Sequence, residues 1–217
     1  MIRQLTNSVD SLLSEKLAAI GFERKKGFVY TCKLEQGVLG WIGLTSRTDN
    51  HKLALAINVG VLFPKLQKLI LGENYTGQNR LVANVITPIY TLTNTKSYLS
   101  YVFVGDLNDH KVADEIIKII VKYGLPQIRL LSDLSEFESI LRSQLNGRLI
   151  NGKLSTNVVL DPRKELLGLL VVTNRKSEAQ ELARKILKNA QKSVEAVEYA
   201  DLNSFCDRLN INPRNQA

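Results

Sequence analysis

Little in this chain is reactive. Its 217 residues include two cysteines, two histidines, one tryptophan and one methionine. Cys32 lies in a β-like alternation and Cys206 in a helical pattern, so both read as small buried hydrophobes. They are too few for a disulfide framework and fit a reducing compartment, which makes cytoplasmic residence the expectation. His51 and His110 stand about sixty residues apart, with no Cys-x-x-Cys and no His-Glu-x-x-His. That excludes the familiar zinc arrangements, in which ligand spacing brings side chains onto one turn or one helix face. The acids Asp106, Asp109, Asp114 and Glu115 lack the ligand order of a calcium loop and read as acids at a helix start, complementing its dipole.

Nucleotide and nucleophile motifs are missing as well. There is no glycine-rich phosphate loop and no glycine-flanked nucleophile elbow. Gly37, Gly40 and Gly43 share a three-residue spacing, and Gly40 and Gly43 lie inside a β-like stretch, which predicts a bulge or close strand packing. No cofactor or metal is expected. An enzyme would need a site without a motif, using His51 or His110, and the reading leans away from catalysis. No apolar run approaches the ~18 residues of a membrane span. The longest, Ile116–Val121 and Leu166–Val172, are core-sized, and the first seven residues lack the basic-then-apolar order of a secretory leader.

What is present is a hydrophobic content of 44%, enough for a sizeable core. Leu12, Leu13, Leu17 and Ile20 predict an opening helix over 7–20, capped by Asn7 or Ser8 and stopped by Gly21, with Phe22 as a packing anchor. The period then changes. Segments 28–34, 38–45 and 53–63, joined by the turns Glu35-Gln36-Gly37 and Arg47–Lys52, predict an antiparallel meander. Leu53, Leu55, Ile57, Val59 and Val61 mark its core face. Pro64 opens a short helix to Leu71, and Gly72–Asn79 reads as a polar loop. Arg80–Thr93, broken by Pro88, predicts two short strands or an edge strand, and Ser97–Val104 another strand.

From Asp109 the period is helical, with Val112, Ile116, Ile119, Ile120 and Tyr123 on one stripe; Gly124 is expected to end that helix and Pro126 to keep it ended. A cap signature at Ser132–Glu136 precedes a helix over 137–145. Asn146–Asn157 reads as a connector. Asp161-Pro162 starts the tail helices at 166–172, 178–191 and 199–209, and 210–217 reads as frayed. The order helix, sheet, helices predicts an α+β fold: an N-terminal helix, an antiparallel meander packed by helices, and a helical C-terminal region. A single domain over 1–217 is expected, with 158–217 as a candidate helical subdomain.

The net charge is +8, split evenly at +4 on either side of residue 145. Such a chain is drawn to anionic partners. Two clusters are the candidate contacts: Arg24, Lys25 and Lys26 in the loop after the first helix, and Arg184, Lys185, Lys188 and Lys192 on the second tail helix. Residues 184, 188 and 192 share one stripe. The plainer alternative for that helix is a solvated face balanced by Glu178, Glu181 and Glu195. Trp41, Tyr98, Tyr101 and Phe103 are expected in the core or the sheet rather than as stacking platforms.

Ile20-Gly21-Phe22, Arg24-Lys25-Lys26, Phe28, Tyr30, the strand Ala56–Val61 with Pro64, and Lys122–Pro126 resemble an uncharacterised bacterial family, domain-of-unknown-function family 4304. The resemblance covers roughly residues 20–145. Leu44–Arg47 departs from it in lacking a glutamine. It implies an α+β fold and a bacterial origin, and the family has no catalytic residues to carry over. The expected function is a non-catalytic protein-interaction module, in its sharpest form an immunity protein that neutralises a toxin through an acidic surface. The alternative is a nucleic-acid-associated accessory protein using the basic clusters. No membrane partner is expected.

Overall fold

The computed structural model describes residues 2–76, 81–94, 97–145, 157–193 and 196–212, without the side chains of 190–193 and 196–198. It is an α+β fold. The first helix, α1 (Ile2–Ala18), starts five residues earlier than the cap at Asn7 implied, because Val9, Leu13 and Leu17 bury one stripe that continues to the half-buried Leu5. Its end is as expected. Gly21 takes φ +87°, Gly21 N–H donates to Ala18 O and Phe22 N–H to Leu17 O. This reverse turn needs a left-handed residue followed by a buried apolar one.

Among the described residues the six strands are β1 (Glu23–Lys26), β2 (Val29–Lys33), β3 (Leu39–Asp49), β4 (Lys52–Leu62), β5 (Val85–Pro88) and β6 (Tyr101–Phe103). The order is β1-β2-β3-β4-β5, wholly antiparallel, with β6 pairing the other end of β4. The β3–β4 hairpin runs in register from Leu39↔Leu62 to Asp49↔Lys52. Only Asn50 and His51 form its turn, both at positive φ (42° and 67°), the twist that a two-residue hairpin loop requires. The expected turn at 47–52 is therefore mostly strand. The expected core face of β4 is correct, with Leu53, Leu55, Ile57, Val59 and Val61 all buried.

Several expectations are corrected. Arg24-Lys25-Lys26 is not a loop but β1, an edge strand closed onto β2 by a tight turn with Gly27 at φ +54°. Of Arg80–Thr93, the edge-strand alternative holds in shortened form: among the described residues only β5 is strand, at the end of the sheet order, followed by a 3-10 turn at Ile89–Leu92. Of Ser97–Val104, only β6 is strand. The first part of the expected loop at 72–79 is a 3-10 turn, Gly72–Asn74, and 77–79 lie outside the described residues.

Helix α2 (Pro64–Leu71) lies between β4 and β5, and α3 (Asp109–Ile119), α4 (Leu125–Ser132), α5 (Leu134–Leu145), α6 (Pro162–Val172), α7 (Lys176–Ser193) and α8 (Ala196–Arg208) follow β6. Gly124 does not stop α3. A π-turn, Ile120–Gly124, joins α3 to α4 with every residue right-handed, and Leu125 N–H reaches back to Ile120 O. The wider turn precedes Pro126, which sits in the first turn of α4 where its missing N–H costs least. Gly124 has a packing role instead: a Cβ there would lie 3.0 Å from Val59, so its absence lets the helix close on the sheet.

The connector expected at 146–157 lies, except for Asn157, outside the described residues. Asp161 caps α6 by accepting from the Arg163 and Lys164 amides. Asn174 and Asn210 take the left-handed position that ends α6 and α8. Ile211 and Asn212 are buried, so 210–212 is packed rather than frayed, while 213–217 lie outside the described residues. One hydrophobic cluster runs from α1 and the sheet through α6, α7 and α8. Polar links tie the tail to the rest. Ile86 and Val158 exchange backbone hydrogen bonds at 3.0 and 2.7 Å, and Arg208 donates to Leu69 O and Ile70 O at the end of α2.

Candidate functional site

The basic clusters come first, and β1 uses much of its charge internally. Arg24 pairs with Asp10, and the Tyr30 hydroxyl donates to the other Asp10 oxygen at 2.8 Å. Asp10 is 7% exposed, so its carboxylate depends on these donors. Burial, above all, pushes the Tyr30 phenol above its ordinary range. Lys25 pairs with Glu23 at 2.8 Å, and Lys26 is exposed. Charges on an outer strand keep other chains from pairing with it. On α7, Arg184, Lys185 and Lys188 are exposed, and Lys185 pairs with Glu181 at 2.7 Å. The side chain of Lys192 lies outside the described residues. β1 packs on β2 and α1, α7 on α6 and α8, so the two clusters belong to separate elements.

Nearby cations are also engaged. Arg142 and Arg175 each bridge Glu138 and Glu178, at 2.5–2.6 Å, clamping α5 to the α6–α7 turn. Burial alone would raise the Glu138 carboxyl; hydrogen bonds from Arg175 and Arg142 outweigh it and hold it below its ordinary range.

The sheet face turned away from the helices offers a different surface. Strand register places Arg47, Ala54 and Val102 in one row, Thr45 and Ala56 in the next, then Gly43 and Asn58. Asn58 donates to Thr45 Oγ1 at 3.1 Å. At the Gly43 end the face is filled: the Trp41 indole lies where a Cβ on Gly43 would stand, 2.0 Å from the ring, and its Nε1 donates to Leu81 O at 2.7 Å. Trp41 is buried, as expected. At the Arg47 end the face is open. Tyr98 is 69% and Val102 45% exposed there, and Tyr98 leans on Tyr90 at 5.7 Å between ring centroids. Arg47, Lys52, Asp49, Thr45, Tyr98 and Val102 border a cavity of about 410 Å³. Phe103 is buried and Tyr101 half-buried, as expected; Tyr98 is not in the core.

A larger cavity, about 700 Å³, lies against α1 and is lined by both His51 and His110. Sequence spacing hid this, because one is at a hairpin tip and the other at the start of α3. Both are exposed. Asp109 is buried beside them and accepts from the Val104 and Gly105 amides at 3.0 and 2.9 Å, so it anchors the loop ahead of α3. Among the described residues, no three His, Cys, Asp or Glu side chains are grouped to hold a metal ion.

Three further perturbed groups are buried or half-buried. Glu165, 6% exposed, is pushed up to about 8 by burial. Cys32 and Cys206 are unbonded, and burial pushes both thiols up, Cys206 to about 11. Thiols so raised stay protonated, unlike those that attack or ligate. No family model, no curated protein and no solved structure matches this chain.

Proposed function

We propose that the chain is a non-catalytic protein-interaction module that docks an acidic protein surface on the open end of its sheet. The observation that carries this reading is the row Arg47–Ala54–Val102 with Tyr98 beside it: an exposed aromatic, an exposed aliphatic and a guanidinium around a small-residue floor. Tyrosine and arginine dominate binding energy at protein interfaces, and exposed apolar groups beside them supply area to bury. Arg47 and Lys52 give the rim a positive sign, in keeping with a net charge of +8, and opposite potentials speed encounter. A rigid sheet needs no chemistry to act this way. An immunity protein that caps a toxin is the sharpest form of the reading, and the resemblance to a bacterial family fits it. The two free thiols favour the cytoplasm. No helix among the described residues is long and apolar enough to cross a membrane.

Exposure of Tyr98 also favours a second reading, single-stranded nucleic acid stacked on that ring with phosphates at Arg47 and Lys52. One experiment separates the two. The tagged chain and its Tyr98→Ala and Arg47→Glu variants are used to capture partners at moderate salt, and the captured protein is then purified and titrated. The expected result is a stoichiometric acidic partner whose affinity falls at least ~10-fold with either variant, the loss of one good interface contact. Unchanged affinity overturns the proposed surface. Nuclease-sensitive nucleic acid in place of a protein, released steeply by salt, transfers the surface to the second reading.

A further inference from the structure

The cavity against α1 has a charge pattern opposite to that of the whole chain. Gln4, Ser8, Ser11 and Glu15 form one polar stripe along α1, flanked by Leu5 and Leu12. The hairpin tip with His51 and the loop into α3 with Val104, Asp106 and His110 form the other wall. Among the described residues, no lysine or arginine lines it, although the chain carries +8. Its negative charge stands at two separated places. The Asp106 loop meets the start of α1, since a Cβ on Gly105 would lie 3.7 Å from Leu5. Glu15 stands ten residues further on, about 15 Å along the helix. There the neighbouring cation Lys16 is already paired with Asp114 at 2.6 Å.

We propose that this groove binds a linear aliphatic polyamine. One ammonium meets Asp106, which also accepts from the Asn108 amide at 2.8 Å, and the other meets Glu15. The methylenes between them lie along Leu5, Leu12 and Val104, and the Ser8 and Ser11 hydroxyls accept from ammonium protons. A volume of about 700 Å³ suits a small molecule. A single compact cation would satisfy only one end.

The test is calorimetric titration of the full chain with spermidine and putrescine at low salt. One saturable site is expected. Glu15→Gln with Asp106→Asn should cost at least ~10-fold in affinity, the loss of two charge-assisted contacts. Both residues are exposed, so folding is preserved. Tyr98→Ala should leave binding unchanged. The proposal is overturned by no saturable binding, by unchanged affinity in the carboxylate variant, or by Nα-acetyl-lysinamide binding as tightly as spermidine. The last outcome would mean that a single ammonium suffices.

Discussion

Asn84 and Glu165 join the sheet to the tail. The Asn84 side-chain amide donates to both Glu165 oxygens, at 3.1 and 2.9 Å, while its own oxygen accepts from the Phe63 amide at 2.7 Å. Both are buried, and Asp161, also negative, is the charge that acts on Glu165. With its carboxyl raised from 4.5 to about 8, Glu165 contributes stability that is fully present below about pH 4.5 and is lost as pH rises through about 8. Urea melts of the wild type and Glu165→Gln across that window isolate the effect. The wild type should lose up to about 1.4 kcal/mol per pH unit relative to the variant. Parallel profiles would mean that Glu165 ionises as readily folded as unfolded.

Tyr30→Phe should destabilise by about 1–3 kcal/mol, because Asp10 loses a donor inside the core. Arg24→Ala should likewise lower the unfolding midpoint without weakening capture of a partner. Loss of partner with unchanged stability would restore Arg24 as a contact residue.

Gly60 faces backbone rather than side chain. A Cβ there would stand 2.0 Å from the carbonyl oxygen of Val85 on the paired strand. Rotamer changes cannot relieve that contact, so Gly60→Ala should cost about 3 kcal/mol or more. Thermal melts check this, and a fully stable variant would show that β5 can move away.

Cys206 should resist alkylation in the native chain and react only on unfolding, since the thiolate is the attacking form. Iodoacetamide labelling followed by mass spectrometry, with and without denaturant, measures the ratio. Rapid native labelling would show that α8 opens.

Much of the architecture was legible because it is locally encoded. Alternation at Leu53–Val61, the Gly21-Phe22 stop and the Asp161-Pro162 start each depend on residues a few positions apart, and each is found where expected. Failures came where a distant neighbour decides. Gly124 and Pro126 look like a helix end, yet Val59 rewards close approach there and a π-turn accommodates the proline. Arg24-Lys25-Lys26 looks like a basic loop, but pairing with the edge of β2 makes it a strand and Asp10 recruits Arg24.

The sequence by itself determined the class of this protein: an α+β chain with a core of alternating and helical apolar stripes, a positive net charge, and no motif for metal, nucleotide or nucleophile. These follow from periodicity and composition, which act over one or two turns of chain. Only the tertiary structure decided which groups are neighbours. It made Arg24 an internal ion pair, exposed Tyr98 beside Arg47, buried Glu165 against Asn84, and set His51 and His110 on one cavity. Burial and charge proximity depend on distances in space, and residues far apart in sequence acquire those only when the chain folds.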